Sequence, residues 1–232
     1  MTAAQTKNAS APKTAEGARP LLENGDRLDQ PTFHRLYEQM PPGTRAELIN
    51  GVVYMAAALR TWHGRPHAIL MTWLTIYDSS TPGCSAYDNT TAILNDESEP
   101  QPDAMLVIDG HQTRVDADGW LLGPAEFVAE VATSSVSYDL HLKKEMYERT
   151  GIQEYLVILV FESRAAWFVR DAGRFVELPA DADGIHRSRV FPGLWFDAKA
   201  FFAGDTRHLL DILNVGLQSP EHASFVASRP SP

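Results

Sequence analysis

Asp103, Glu130 and Lys143 are the residues of this chain whose types and placement could do chemistry together. Glu130 is the one charge inside the run Phe127-Val128-Ala129-Glu130-Val131-Ala132, and Asp103 stands at the mouth of a second apolar run over residues 104–108. An ionised carboxylate inside an apolar strand costs several kcal/mol unless it is paired or metal-bound. Three partners are open to Glu130: Lys143, if the following helix folds back over the strand end; a divalent cation shared with Asp103; or solvent at a sheet edge. Two carboxylates at the ends of neighbouring strands plus one lysine suit phosphodiester hydrolysis. Mg²⁺, with Mn²⁺ as a substitute, takes oxygen ligands and keeps several waters, so Asp103, Glu130 and the backbone carbonyl of Val131 suffice on the protein side. The cation would acidify a bound water and neutralise charge developing on the phosphorane, while Lys143 would orient that water or stabilise the transition state.

The elements that must position these groups follow from pattern. Residues 104–108 and 127–132 read as strands buried on both faces. Thr133-Ser134-Ser135 supplies capping hydroxyls for a helix over residues 138–150, which Gly151 closes. Asp139, Lys143 and Tyr147 share one stripe of that helix, and Asp139 can pair with Lys143 across a turn. Before the site, residues 31–40 suit a short helix stopped by Pro41-Pro42. Asn50-Gly51 between residues 45–49 and 52–55 is the signature of a two-residue type I′ hairpin, with Glu47 and Ile49 on one face and Ala46 and Leu48 on the other. A helix over residues 68–77 has Pro66 in its first turn and buries Ile69, Trp73 and Ile76. Short strands are expected at 85–87 and 91–94. After the site come a strand at 155–161, a hairpin of 165–170 with 174–178, and a strand-like piece at 190–196. The order is that of one α/β domain with a mixed sheet, over residues 28–204. Residues 1–27 have no hydrophobic period and read as a disordered leader, and residues 205–232 as a C-terminal helix with a flexible tail.

Composition narrows the function classes. A length of 232 residues with 44% hydrophobic content fits one domain with a real core. The single Cys84 allows neither an internal disulfide nor a thiolate zinc cluster, and no segment is apolar enough for a membrane span or a secretory signal, so the cytoplasm is the expected compartment. The net charge of −10 is the wrong sign for a broad DNA-gripping face, although a carboxylate site for a cation contributes to it. It favours the alternative of a catalytically inactive fold that binds DNA or a protein partner. Apolar strands in the C-terminal half could leave an edge for a homodimer.

Other groups have readings of their own. Glu47 could face the cation or be a solvated hairpin residue. His63 and His67 have the spacing of helical metal ligands, but Pro66 between them argues that His63 precedes the helix, which leaves His67 to line or cap the site. Lys144 reads as solvated, and Trp62, Trp73, Trp167 and Trp195 read as core.

The succession Ala46-Glu47-Leu48-Ile49-Asn50-Gly51, His67, Gln101-Pro102-Asp103, Glu130-Val131, Asp139 with Lys143 and Tyr147, Gly151-Ile152-Gln153-Glu154-Tyr155, and Phe191-Pro192-Gly193-Leu194 resembles the Uma family of candidate restriction endonucleases, over residues 31–202. That family is similar to the PD-(D/E)XK nucleases, so the resemblance implies a restriction-endonuclease-like core, a mixed sheet flanked by helices. It implies DNA as substrate and Mg²⁺ as cofactor. Asp103 matches the aspartate of the motif and Glu130 the second acidic position. Ala132 stands where the plain pattern has lysine, and Lys143 of the following helix takes its place. Asn50 and Leu156 depart from the family's usual Asp and Trp.

Overall fold

The computed structural model describes residues 21–229; the expected leader over 1–20 and the last three residues lie outside that range. The leader does not extend to residue 27, because Leu22 is buried and the Gly25 and Leu28 amides donate to the Val53 and Gly51 carbonyls at 2.8 and 2.9 Å. The apolar side chain and these backbone bonds fix residues 22–28 against the hairpin that follows.

Helix α1 (Gln30–Tyr37) starts at Asp29, whose carboxylate accepts the Thr32 amide at 2.9 Å. It is shorter than the expected 31–40. Strands β1 (Ala46–Ile49) and β2 (Val52–Met55) close through Asn50 and Gly51 at φ 49° and 76°, the two positive angles a type I′ turn needs. Ala46 and Leu48 pack with Phe33, while Ile49 faces the main sheet, as the alternation predicts.

Helix α2 (Thr61–Ser80) begins well before residue 68 and carries Pro66 inside it. Its apolar residues, centred on Trp73, cover one face of a sheet. Strands β3 (Cys84–Asp88), β4 (Ala92–Ile93), β5 (Ala104–Ile108), β6 (Arg114–Val115), β7 (Leu121–Leu122) and β8 (Phe127–Ala132) follow. A π-helical segment (Tyr138–Lys143) then runs directly into α3 (Lys144–Thr150), which Gly151 ends at φ 100°. Strands β9 (Glu154–Leu159), β10 (Arg164–Asp171) and β11 (Arg174–Glu177) complete the main sheet, in spatial order β11-β10-β9-β8-β5-β3. Two-residue elements such as β6 and β7 had no periodicity to betray them.

Neighbours in this sheet are antiparallel except β8 and β9. A parallel pair needs a crossover, and the π segment with α3 supplies it. The crossover therefore lies over one sheet face, with Met146 and Tyr147 against Val128, Tyr155 and Val157. The other face packs Leu106, Phe127, Leu156 and Trp167 under α2. The free edge in the C-terminal half is β11, which is four residues long and carries Arg174 and Glu177, features that discourage edge pairing.

Residues 190–194 form a turn instead of the expected strand. Buried Glu154 accepts the Ser188 hydroxyl and the Arg189 and Val190 amides at 2.7, 2.6 and 3.1 Å, which folds the segment back. Strand β12 (Ile185–Arg187) pairs with β13 (Trp195–Asp197), followed by α4 (Ala198–Ala203), α5 (Thr206–Leu217) and α6 (Pro220–Ala227). The expected division at residue 204 does not hold, because Leu209 and Leu213 of α5 belong to the core under α2. Residues 220–227 add a second helix to the one expected in this segment.

Gly216 of α5 meets Gly193 backbone to backbone; a Cβ there would overlap the Gly193 carbonyl oxygen and lie 2.9 Å from the Trp195 ring. Neither neighbour is a flexible side chain. Gly216→Ala should therefore cost roughly 3 kcal/mol and lower the melting midpoint by about 5–10 °C in a thermal scan. An unchanged midpoint would show that this helix contact is not tight.

Candidate active site

Strand register sets the first contact. Ala104 pairs with Ala129, and one residue further along Asp103 comes beside Glu130 and Val131, where the Val131 amide donates to Asp103 Oδ2 at 2.7 Å. Because side chains alternate, Glu130 points to the face covered by the crossover. There Lys143 and Tyr147, one turn apart, both reach it: Nζ and the phenolic OH donate to Glu130 Oε1 at 2.8 and 2.9 Å. Lys143 also donates to Glu47 Oε1 at 2.9 Å, and that same oxygen accepts the Gln101 amide at 2.8 Å. Glu130 and Lys143 are each only 4% exposed. Of the three partners left open for Glu130, the lysine is present, and a solvated sheet edge is excluded.

The helix that delivers Lys143 is not the regular one expected. Its π-helical first part is the kind of wide turn that collects at functional sites. Asp139 does not pair with Lys143; its carboxylate accepts the Ser135 hydroxyl at 2.5 Å, and its carbonyl accepts the Tyr155 hydroxyl at 3.1 Å. Lys144 is not simply solvated, as its ammonium sits 4.0 Å over the Phe168 ring.

Both histidines converge on Asp103, which corrects the reading that Pro66 puts His63 ahead of the helix. His63 Nε2 lies 3.1 Å from Asp103 Oδ2, and His67 Nε2 donates to the Asp103 carbonyl at 2.9 Å and lies 3.0 Å from Asp88 Oδ1. The i, i+4 spacing of His63 and His67 is the sequence signal for this convergence, since Pro66 lies inside the helix and does not mark its start. Each Nε2 is thus turned to an oxygen of Asp103, the carboxylate for His63 and the main-chain carbonyl for His67.

Electrostatics follow from one ammonium among four carboxylates. Burial works against the Lys143 charge, but Glu130, Glu47 and Asp139 together hold it protonated well above its ordinary range. Burial pushes the Glu130 carboxyl well up; Lys143 opposes this, while Asp103, Asp139 and Glu47 add to it. The partners of this ion pair thus both shift upward, Glu130 chiefly because it is buried and Lys143 because three carboxylates surround it. Burial likewise pushes Asp139 up to about 6. Burial raises Asp103 too, yet the His63 contact, the Val131 amide and Lys143 outweigh it and hold Asp103 below its usual value.

A site with this surplus of carboxylate suits a cation. Among the described residues, Asp103 Oδ1 and Glu130 Oε2 take no protein hydrogen bond, whereas the other oxygen of each is committed. No three acidic, histidine or cysteine groups converge as a closed cage among the described residues. Two carboxylates with an open remainder fit a Mg²⁺-type ion that keeps its waters, and do not fit a caged structural metal. Both line a cleft of about 650 Å³ that also holds Glu47, Asp139, Lys143 and Val131. Trp73 and Trp167 are core, but Trp62 is 48% exposed on this cleft, not buried as expected. No helix among the described residues is long and apolar enough to cross a membrane.

Comparison with known proteins gives a family and a shared fold. The family Uma2, described as "Putative restriction endonuclease", matches residues 31–199. A crystal structure from Anabaena variabilis ATCC 29413, described as a "putative nuclease belonging to DUF820", shares the fold with a TM-score of 0.55 at 12% identity, covering 73% of this chain and 96% of that one. No curated protein matches the chain.

Proposed function

Since the chain belongs to the Uma2 family, we propose that it is a Mg²⁺-dependent endonuclease of the cytoplasm that hydrolyses phosphodiester bonds in DNA, with Mn²⁺ able to replace Mg²⁺. The observation that carries this reading is Lys143, fixed between Glu47 and Glu130 in the cleft that also exposes Asp103. Asp103 and Glu130, with the Val131 carbonyl, would hold the cation, which when bound supplies charge neutralisation and a more acidic water. An ammonium has three N–H donors, and two of those on Lys143 go to carboxylates. The third serves a nucleophilic water or a phosphoryl oxygen whose charge grows in the transition state. Glu47 and Glu130 keep Nζ at that point, Tyr147 steadies Glu130, and His63 and His67 keep Asp103 turned toward the cleft. Hydrolysis forms one bond from water to phosphorus and breaks one ester bond, with the water's proton passing to the departing oxygen through solvent.

The charge of −10 favours a second reading, a member that binds DNA or protein without cleaving. Incubation of linear, supercoiled and single-stranded DNA with the protein in Mg²⁺, Mn²⁺ or chelator separates the two. Nicking or cutting that requires the cation and falls roughly 100-fold or more in Asp103→Ala is the expected outcome. Equal activity in Asp103→Ala would remove the assigned mechanism, and metal binding that does not depend on the carboxylates would favour the second reading.

A further inference from the structure

Three large apolar side chains, Leu59, Trp62 and Phe161, stand exposed by 56%, 48% and 69%, and all three line the cleft of Asp103 and Glu130. They come from separate places in the chain. Trp62 is in the first turn of α2, and Phe161 is in the 3₁₀ turn (Val160–Glu162) that follows β9. The fold brings their rings to 6.3 Å between centroids at 62° to each other, with the Arg60 guanidinium 5.8 Å from the Trp62 ring. Arg45 lies on the same cleft wall. Trp62 is also the residue before His63, which touches Asp103 Oδ2. The aromatic surface is therefore built beside the acidic centre, not scattered over the exterior.

We infer that this surface stacks unpaired bases, so that the substrate is DNA with a single-stranded segment at the cleavage point, not an intact duplex; the inference rests on the nuclease reading above. Charge is the deciding quantity. A duplex carries a negative charge about every 1.7 Å along its axis, and its capture needs many Lys and Arg contacts. This chain has a net charge of −10, and its cleft wall offers Arg45 and Arg60 with Lys143 already paired. Stacking a base on an aromatic ring is worth roughly tenfold or more in affinity and needs no excess of basic residues. Away from the ends of a duplex only an unpaired base can present its face to Trp62 and Phe161, because a duplex keeps interior base faces inside the stack.

The test is binding of an oligonucleotide carrying 2-aminopurine, as a single strand and within a blunt duplex, with Ca²⁺ replacing Mg²⁺. Wild-type protein should bind the single strand at least tenfold more tightly and quench its fluorescence. Trp62→Ala with Phe161→Ala should lose roughly tenfold or more of that affinity and the quench. Trp62→Phe with Phe161→Tyr should keep both, and circular dichroism confirms that the variants fold. Equal binding of the two DNA forms, binding of neither, or an unaffected double alanine variant overturns the inference. So does a wild-type dimer in sedimentation that the double alanine variant dissolves, which would make this face a contact between two copies. Quenching without Mg²⁺-dependent cleavage of any DNA would sink the nuclease reading alone, and cleavage without quenching would sink the stacking alone.

Discussion

Lys143→Met is expected to lose catalysis by roughly 10³-fold or more and also to remove about 3–5 kcal/mol of stability at neutral pH. The two losses have different origins. Catalysis fails because the ammonium is the donor aimed at the reacting water or phosphoryl oxygen. Stability fails because Glu130 and Glu47 lose the N–H donors they accept at 2.8 and 2.9 Å, in a site where Lys143 and Glu130 are each 4% exposed. Methionine fills the volume but leaves the carboxylates uncompensated. The pH dependence gives the distinguishing signature. Glu130 has a folded value above its unfolded one, so its protonated form is favoured by folding; that contribution is full below the unfolded value near 4.5 and is lost as pH rises through the folded value. In wild type, Lys143 offsets part of that loss, since its own raised value keeps it charged across the neutral range. Without it, denaturant midpoints should fall steeply between pH 5 and 8, and the gap to wild type should narrow toward pH 4.5. A gap that stays constant over this range would mean that Lys143 acts by packing alone.

Sequence pattern reached the pieces of this site more readily than their assembly. Buried strands were visible in residues 104–108 and 127–132 because both faces of a central strand must be apolar, and that is also what made Glu130 conspicuous. The Asn50-Gly51 turn was equally plain, since only positive φ angles close such a hairpin. What pattern could not supply was the parallel pairing of β8 with β9, a long-range event with no local signature. That pairing requires a crossover, which lies over the Glu130 face and brings Lys143 within 2.8 Å. The π-helical segment was illegible for a related reason: residues 138–150 have an ordinary helical stripe, and the bonds that Asp139 makes there, to the Ser135 and Tyr155 hydroxyls, leave no mark in that stripe. Proline misled at His63, because Pro66 sits inside α2 rather than at its start. Burial of Glu99, Glu126 and Glu154 was also unreadable, since each is satisfied mainly by partners distant in sequence: His34 and Gln30, the Ile108 amide, and the loop at 188–190.

Glu130→Gln should separate the two properties that Lys143→Met loses together. Glutamine has nearly the same shape, and its carbonyl oxygen can still accept from Lys143 and Tyr147, so the packing of the crossover is kept. One of four crowded carboxylates disappears, and with it the charge that burial, joined by repulsion from Asp103, Asp139 and Glu47, disfavours at Glu130. The variant should therefore melt no lower than wild type at pH 7–8, while cleavage drops by roughly 10³-fold and affinity for Mn²⁺ by about 10- to 100-fold or more, the scale of losing a ligand or its support. Thermal scans with and without Mn²⁺ read this directly, because a ligand that binds only the folded state raises the midpoint in proportion to RT ln(1 + [L]/Kd). The sign with pH is fixed by the raised carboxyls. Below about 6, Asp139 holds a proton in the folded state, and Glu130 also favours its protonated form; a cation must displace that charge compensation. The Mn²⁺ shift in wild type should accordingly grow as pH rises from 5 to 8, with proton release on binding at the lower end. In Glu130→Gln the shift should shrink at every pH. A Mn²⁺ shift of wild-type size in the variant would place the cation elsewhere and leave Glu130 as a partner of Lys143 only. A wild-type shift that is larger at pH 5 than at pH 8 would contradict carboxylate ligation altogether.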